Sequence, residues 1–333
     1  MRENGRGHMP CKFTVVYSFL FISLVLSGCT RTDSLPQEPE YPTLQPAPGR
    51  IVFTSTRDNG SGTIYVVNSD GTGLTRITDP DLYAHYPRWT PGCDKIAFSA
   101  RDGVYVVNPD GSGLSRLIAL PSFALASWSP DGKQIAFSVL DETIPRGSNI
   151  WVANSDGTDR RQLTYCFISC SFPIWHPGGE SIFYLSAEND YTSAPIRTTL
   201  DRMSVWGTMH ETWLSASETA DISYGGVHSI SPDGTKFVLV REVDEEEHTD
   251  IFTLDIENKE WQRLTDDEAY YDWPAWSPDG QQIVFVNYRV PTVPTTRRFP
   301  SVAGIWIMNA DGSGRFQVVE PEGDNLEPDW CAQ

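Results

Sequence analysis

The chain reads WSPDG twice, at Trp128–Gly132 and Trp276–Gly280, with near copies at Trp89–Gly92 (WTPG), Trp175–Gly178 (WHPG) and Ile230–Gly234 (ISPDG). In Ser-Pro-Asp-Gly the proline pre-sets φ at the first central position of a turn, the aspartate tolerates the next, and the glycine supplies a positive φ. The stretch therefore reads as turn chemistry, with the tryptophan closing the strand before it. Anchors at Trp89, Trp128, Trp175, Ile230, Trp276 and Trp330 are spaced by 39, 47, 55, 46 and 54 residues. Periods of about 40–50 residues are those of propeller blades.

The interior of each unit agrees. After the turn comes an apolar run such as Gln134–Ser138 or Gln282–Val286, then a polar loop. A third run follows, as IYVVN at Ile64–Asn68, VYVVN at Val104–Asn108, IWVAN at Ile150–Asn154 and IWIMN at Ile305–Asn309. Each of these leads into an Asp-Gly turn, and a fourth run ends in Leu-Thr or similar, as at Leu163-Thr164. Four short β-branched and aromatic runs bounded by Pro, Gly and Asp make an all-β, four-stranded blade. The first unit, at Ile51, lacks its own anchor strand, and Glu327-Pro328-Asp329-Trp330 supplies the equivalent at the other end. The expectation is six blades over residues 50–333, with the C-terminal strand completing blade one and removing the open edges.

These repeats resemble those of the TolB-type six-bladed propeller family over roughly residues 50–331. TolB carries an α/β domain ahead of its propeller; this chain has different features there. Arg2, Arg6 and Lys12 precede an apolar run, Phe13–Leu26, too short to span a bilayer and suited to a signal peptide. Leu26-Ser27-Gly28-Cys29 resembles a bacterial lipobox, which implies a signal over 1–28 and lipidation of Cys29. Residues 29–49 hold five prolines and read as an extended tether. The resemblance implies an extracytoplasmic interaction scaffold; with the lipobox, the expectation is a lipoprotein of the outer membrane, periplasm or cell surface, whose monomeric head binds an envelope or cell-surface protein or a glycan.

Charge narrows the partners. The formal net charge is −19, and −21 without a leader carrying Arg2, Arg6 and Lys12 against Glu3. That opposes binding to nucleic-acid phosphates, which relies on Lys/Arg clusters. No G-x-S-x-G occurs, and His210-Glu211 has no second histidine in H-E-x-x-H register. The Asp-Gly turns lack the terminal glutamate of a calcium loop and read as hairpins. No catalytic constellation, cofactor or metal site is therefore assigned.

In a four-stranded blade the WSPDG and Asp-Gly turns share one face, and the second hairpins and crossovers share the other. The crossovers are rich in aromatic residues, and their expected ligand-binding set is Tyr83, His85, Tyr86, Phe172, Tyr224, His228, Tyr270, Tyr271, Asp272 and Trp273, around the channel mouth. Such a rim suits stacking on sugar rings or gripping a peptide. Phe123 and Phe167 are on the same crossovers, and Arg289, Arg297 and Arg298 form a basic cluster in a second-hairpin loop. The rival reading is a propeller-based polysaccharide lyase or glycoside-acting enzyme, with His85, His228 and Asp272 as its axial site.

Four cysteines lie beyond the leader and the lipobox: Cys93, Cys166, Cys170 and Cys331. Cys331 follows Trp330, and Cys93 lies in the equivalent turn of the next blade, so the expected pairs are Cys93–Cys331 and Cys166–Cys170. The long-range bond closes a loop of more than two hundred residues, worth roughly 5 kcal/mol in the chain-entropy model. Non-reducing peptide mapping is expected to recover Cys93 with Cys331; Cys93 found free, or joined to Cys166 or Cys170, rejects the pairing.

Overall fold

A computed structural model describes residues 44–121, 123–141, 147–187, 197–243, 248–267, 269–288 and 302–332; at 141 and 223–228 it describes the strand and not the side chains. The leader, Cys29 and the Arg289, Arg297 and Arg298 cluster lie outside the described residues. Among the described residues twenty-four strands form six antiparallel sheets of four. Blade one comprises β1 (Arg50–Ser55), β2 (Thr63–Asn68) and β3 (Thr75–Arg76), with β24 (Asn325–Cys331) as its innermost strand. Blade two is β4 (His85–Trp89), β5 (Ile96–Ala100), β6 (Gly103–Val107) and β7 (Ser115–Ala119); blade three is β8 (Ala126–Trp128), β9 (Gln134–Asp141), β10 (Gly147–Asn154) and β11 (Arg161–Gln162). Blade four is β12 (Ser169–Trp175), β13 (Ser181–Ala187), β14 (Thr198–Ser204) and β15 (Glu211–Leu214). Blade five is β16 (Ile222–Ile230), β17 (Lys236–Glu242), β18 (Thr249–Asp255) and β19 (Trp261–Arg263). Blade six is β20 (Tyr270–Trp276), β21 (Gln282–Tyr288), β22 (Ala303–Asn309) and β23 (Arg315–Val319). The all-β six-bladed propeller closed by its C-terminal strand is thus the observed fold. Among the described residues no helix is long and apolar enough to cross a membrane.

The serine, aspartate and glycine of WSPDG each have a measurable task. The Ser129 hydroxyl donates to Asp131 Oδ1 at 2.8 Å and accepts the Gln134 N–H at 2.9 Å. Asp131 also accepts the Lys133 N–H at 3.1 Å. Gly132 and Gly280 take φ of 67° and 69°. Two copies are shifted by one residue from their sequence alignment. The left-handed position is held by Gly179 (φ 77°) in WHPGG and by Cys93 (φ 59°) in WTPGC. The turn needs its fifth residue left-handed, so Gly92 and Gly178 stand where the other copies have aspartate. Cys93 is joined to Cys331, with Cα atoms 6.0 Å apart, and Cys166 to Cys170, at 5.9 Å.

Each anchor tryptophan packs on the preceding blade. Trp89 joins Val52, Ile64 and Val66 of blade one; Trp276 joins Val238 and Ile251 of blade five; Trp330 joins Val284, Val286 and Ile305 of blade six. The segment 44–49, expected as free tether, is instead docked here. Leu44 is buried in the cluster between blades six and one, and the Ala47 N–H donates to Gln282 Oε1 at 2.6 Å. A leucine amid prolines has apolar area to bury, and the groove between the two blades accepts it.

The indole N–H groups of Trp89, Trp128, Trp175, Trp276 and Trp330 are buried without a protein acceptor. An unsatisfied buried donor costs about 1–3 kcal/mol, which the ring's apolar burial has to exceed. Trp276→Ala is accordingly expected to cost about 3–5 kcal/mol. Trp276→Phe, which removes the orphaned donor along with part of the ring, is expected to cost less than half of that, as read by urea unfolding of the two variants.

Candidate functional site

Four of the six innermost strands share one pattern ahead of the anchor: Tyr86-Pro87-Arg88-Trp89, Phe172-Pro173-Ile174-Trp175, Trp273-Pro274-Ala275-Trp276 and Glu327-Pro328-Asp329-Trp330. Proline has no N–H to give the neighbouring strand and is tolerated at sheet edges and bulges. The register of each pair slips at this point. The residue before each proline is left-handed, with φ of 55° at Tyr86, 55° at Phe172, 50° at Trp273 and 60° at Glu327. For a side chain of this size that conformation costs about 1–2 kcal/mol per residue. Four strained bulges at equivalent positions re-aim these side chains, and three of them, Tyr86, Phe172 and Trp273, line a channel cavity.

These side chains form one assembly. The Tyr86 and Trp273 ring centroids are 5.7 Å apart, tilted by 50°, and both rings line a small cavity together with Phe172, Arg88 and Ile174. Glu327 lies between them in chain order around the ring, its side chain 4 % exposed. Its Oε2 accepts the Thr54 hydroxyl at 2.6 Å and the Tyr86 N–H at 2.5 Å, while Oε1 faces His85 Nδ1 at 3.6 Å. His85 meets the Phe123 ring edge-on at 5.7 Å. Asp272 Oδ1 accepts the Trp273 N–H at 2.8 Å, which steadies that bulge. Burial, then the Glu327 carboxylate, pushes the Tyr86 phenol up to about 12, and Asp272 adds to the shift while Arg88 opposes it. The phenol is therefore neutral, and the stability it contributes is complete below pH 10 and lost as pH rises through 12. Tyr288 is raised for the same reason, burial first and then Asp272, Asp324 and Glu327.

The structure brings together His85, Tyr86, Phe172 and Trp273 of the expected rim, with Asp272 beside them. It does not bring in the others it describes. Tyr271 is a correction: at 1 % exposure it is a core residue, its hydroxyl donating to Asp267 Oδ1 at 2.7 Å and accepting from Arg315 Nη1 at 2.7 Å. Tyr83 sits on the outer crossover under the Arg101 guanidinium, 3.4 Å from its ring centroid, and Tyr270 packs on His248 at 4.9 Å. The Tyr224 and His228 side chains lie outside the described residues. Of the rival axial set, His85 is turned to Glu327 and Asp272 to the Trp273 N–H; among the described side chains no three His, Cys, Asp or Glu are grouped to hold a metal.

Sequence reasoning passed over Glu327 and Arg88. The signal available was the X-Pro-x-Trp pattern itself, four times at one position. A larger cavity, about 350 Å³, opens at the WSPDG end of the channel and is walled by the residues just before the anchors.

No family model matches this sequence. Over 158 residues, 47% of the chain, it is 26% identical to the uncharacterized peptidase YuxL of Bacillus subtilis (strain 168), and the match spans about a fifth of that protein's length, 20%. Among solved structures, TolB from Acinetobacter baumannii superposes with a TM-score of 0.66 at 19% identity, over 86% of this chain and 67% of that one. The fold is that of the TolB propellers. A putative TolB from Agrobacterium tumefaciens gives 0.61 at 17% identity over 84% and 91% of the two chains. An oligogalacturonate lyase in complex with manganese gives 0.52 at 11% identity over 82% and 74%. Identities this low carry the fold and leave the site to be argued from its own residues.

Glu327 is the residue on which the assembly turns. Glu327→Ala strands the Tyr86 N–H and the Thr54 hydroxyl, and is expected to cost about 1–3 kcal/mol in denaturant unfolding. In Glu327→Gln one amide oxygen can still accept both donors, so less than half of that loss is expected. Equal losses in the two variants would show that the negative charge, and not its acceptor role, holds the site.

Proposed function

We propose that the chain is an extracytoplasmic, lipid-anchored binding module whose ligand, a protein segment or a glycan, docks at the channel mouth on the face of the crossovers. The observation that supports this reading is the ring of Tyr86, Phe172, Trp273 and Glu327, four large side chains held in strained left-handed bulges at the channel. Strain kept at one level in four blades serves no strand pairing, since it breaks the register there. It presents three aromatic side chains to whatever enters, braced from behind by the buried Glu327 carboxylate, the kind of rim that stacks on a sugar ring or grips a peptide. Anchorage rests on the lipobox-like Leu26-Ser27-Gly28-Cys29, and the outer membrane or cell surface is the location it suits.

A glycan and peptide array probed with the compact unit Tyr41–Gln333 tests the reading. Retained ligands are expected to be lost with Trp273→Ala, by about 2 kcal/mol or more if this ring is a central contact. Binding that survives this substitution unchanged places the ligand elsewhere. Turnover of a retained glycan replaces the binding module with a propeller-based lyase or hydrolase.

A further inference from the structure

The residues immediately before the six anchors form a second ring, lower in the channel: Asp329, Arg88, Ser127, Ile174, Ser229 and Ala275, in blade order from one to six. All six wall the cavity of about 350 Å³, whose rim is made by turn residues including Pro91, Pro232 and Pro278. This is the size of a small-ligand site. It opens at the WSPDG end, away from the crossover face.

The two charges in this ring, Asp329 and Arg88, feel one another without forming an ion pair. Asp329 is engaged, since its Oδ2 accepts the Trp89 N–H across the blade boundary at 2.7 Å. Burial pushes its carboxyl up, against the pull of Arg88 and of the Trp89 and Trp330 N–H groups. The half-buried Arg88 donates to the Pro87 carbonyl at 2.9 Å, and among the described residues no carboxylate oxygen lies within salt-bridge distance of it. A guanidinium carries five donors in a flat fork that matches a carboxylate in two parallel bonds. Among the described residues the Ser229 hydroxyl has a single long contact, 3.5 Å to Ile230 O. Ile174, Ala275 and the anchor rings supply the apolar wall.

We propose that this cavity is a second binding site, in which Arg88 holds the free carboxylate of a compact ligand that enters from the WSPDG end. The channel's own charges select the class. Glu327 and Asp272 stand at the opposite mouth, and Asp329 lies beside Arg88, so a dianion such as phosphate is repelled while a planar monoanion gains the fork. Entry past the crossover mouth would take the anion by Glu327; entry between the prolines does not. A sugar acid and a peptide C-terminus both present this group.

The full chain is titrated with D-glucuronate and its methyl ester, and with N-acetyl-glycyl-phenylalanine and its C-terminal amide, following tryptophan fluorescence. One of the two acids is expected to bind, with its uncharged counterpart weaker by about tenfold or more, as a charge-assisted bond requires. Whichever acid binds identifies the source, and inorganic phosphate is expected to compete poorly. Arg88→Gln is expected to lose about tenfold or more in affinity, and Arg88→Lys to keep part of it. If Arg88→Gln does not fold, the acid and ester comparison on the unaltered chain still decides. The proposal is overturned if neither acid binds up to about 10 mM, tenfold above a millimolar Kd. It is equally overturned if acid and uncharged partner bind alike. Trp273 also walls this cavity, so the acid and ester comparison on the unaltered chain separates the two readings: a blank array leaves this result standing, and failure of the acids leaves an array ligand lost with Trp273→Ala standing.

Discussion

Closure of the ring is the constraint on which the rest depends. Strand β24 pairs with β1 in antiparallel register from Arg50↔Cys331 to Ser55↔Asn325, so the last blade to be completed is also the first. Side chains reinforce the seam: Ser55 Oγ donates to Asn325 Oδ1 at 2.8 Å, and Thr54 Oγ1 to Glu327. The Cys93–Cys331 bond ties the same strand to blade two. Without this seam the six innermost strands do not converge, and there is neither a channel nor a mouth. The seam also supplies the chemistry, because Glu327 and Asp329 arrive on the closing strand.

The blades hold one another by a repeated contact, the anchor ring of one laid against the sheet of the one before. That contact is apolar and tolerant, which leaves the residues between anchors free to differ. The consequence is a channel of unequal walls. Blades one, two, four and six bring charge or aromatic rings at the level of the bulges, while one level lower Ile174 of blade four and Ala275 of blade six bring hydrocarbon. Regular packing outside the ring thus coexists with individual chemistry inside it, and the strained bulges lie on the boundary between the two.

Sequence made the architecture readable because turn chemistry is local. Ser, Asp and Gly in WSPDG act on backbone groups within five residues, so blade count and the closing strand follow from short patterns. The one-residue shift at WTPGC escaped because a cysteine can hold the left-handed position that glycine usually marks. The site was readable only in part. Tyr271 and Trp273 stand two residues apart in one innermost strand, and nothing local says that Asp267 and Arg315 will bury the first while a bulge turns the second toward the channel. Arg88 escaped for a similar reason: its significance lies in what the other five blades place beside it.

Closing a ring with strands 270 residues apart orders events in time. As the chain is made, β1, β2 and β3 emerge early and form a three-stranded sheet whose inner edge has no partner. Five complete blades follow before Glu327 and Trp330 become available. Throughout that interval the edge of β1 is open to other strands, including those of neighbouring nascent chains. The short β-branched core of β1 is therefore where a chaperone has most to shield, and a chain cut short before residue 325 keeps its first blade unpaired.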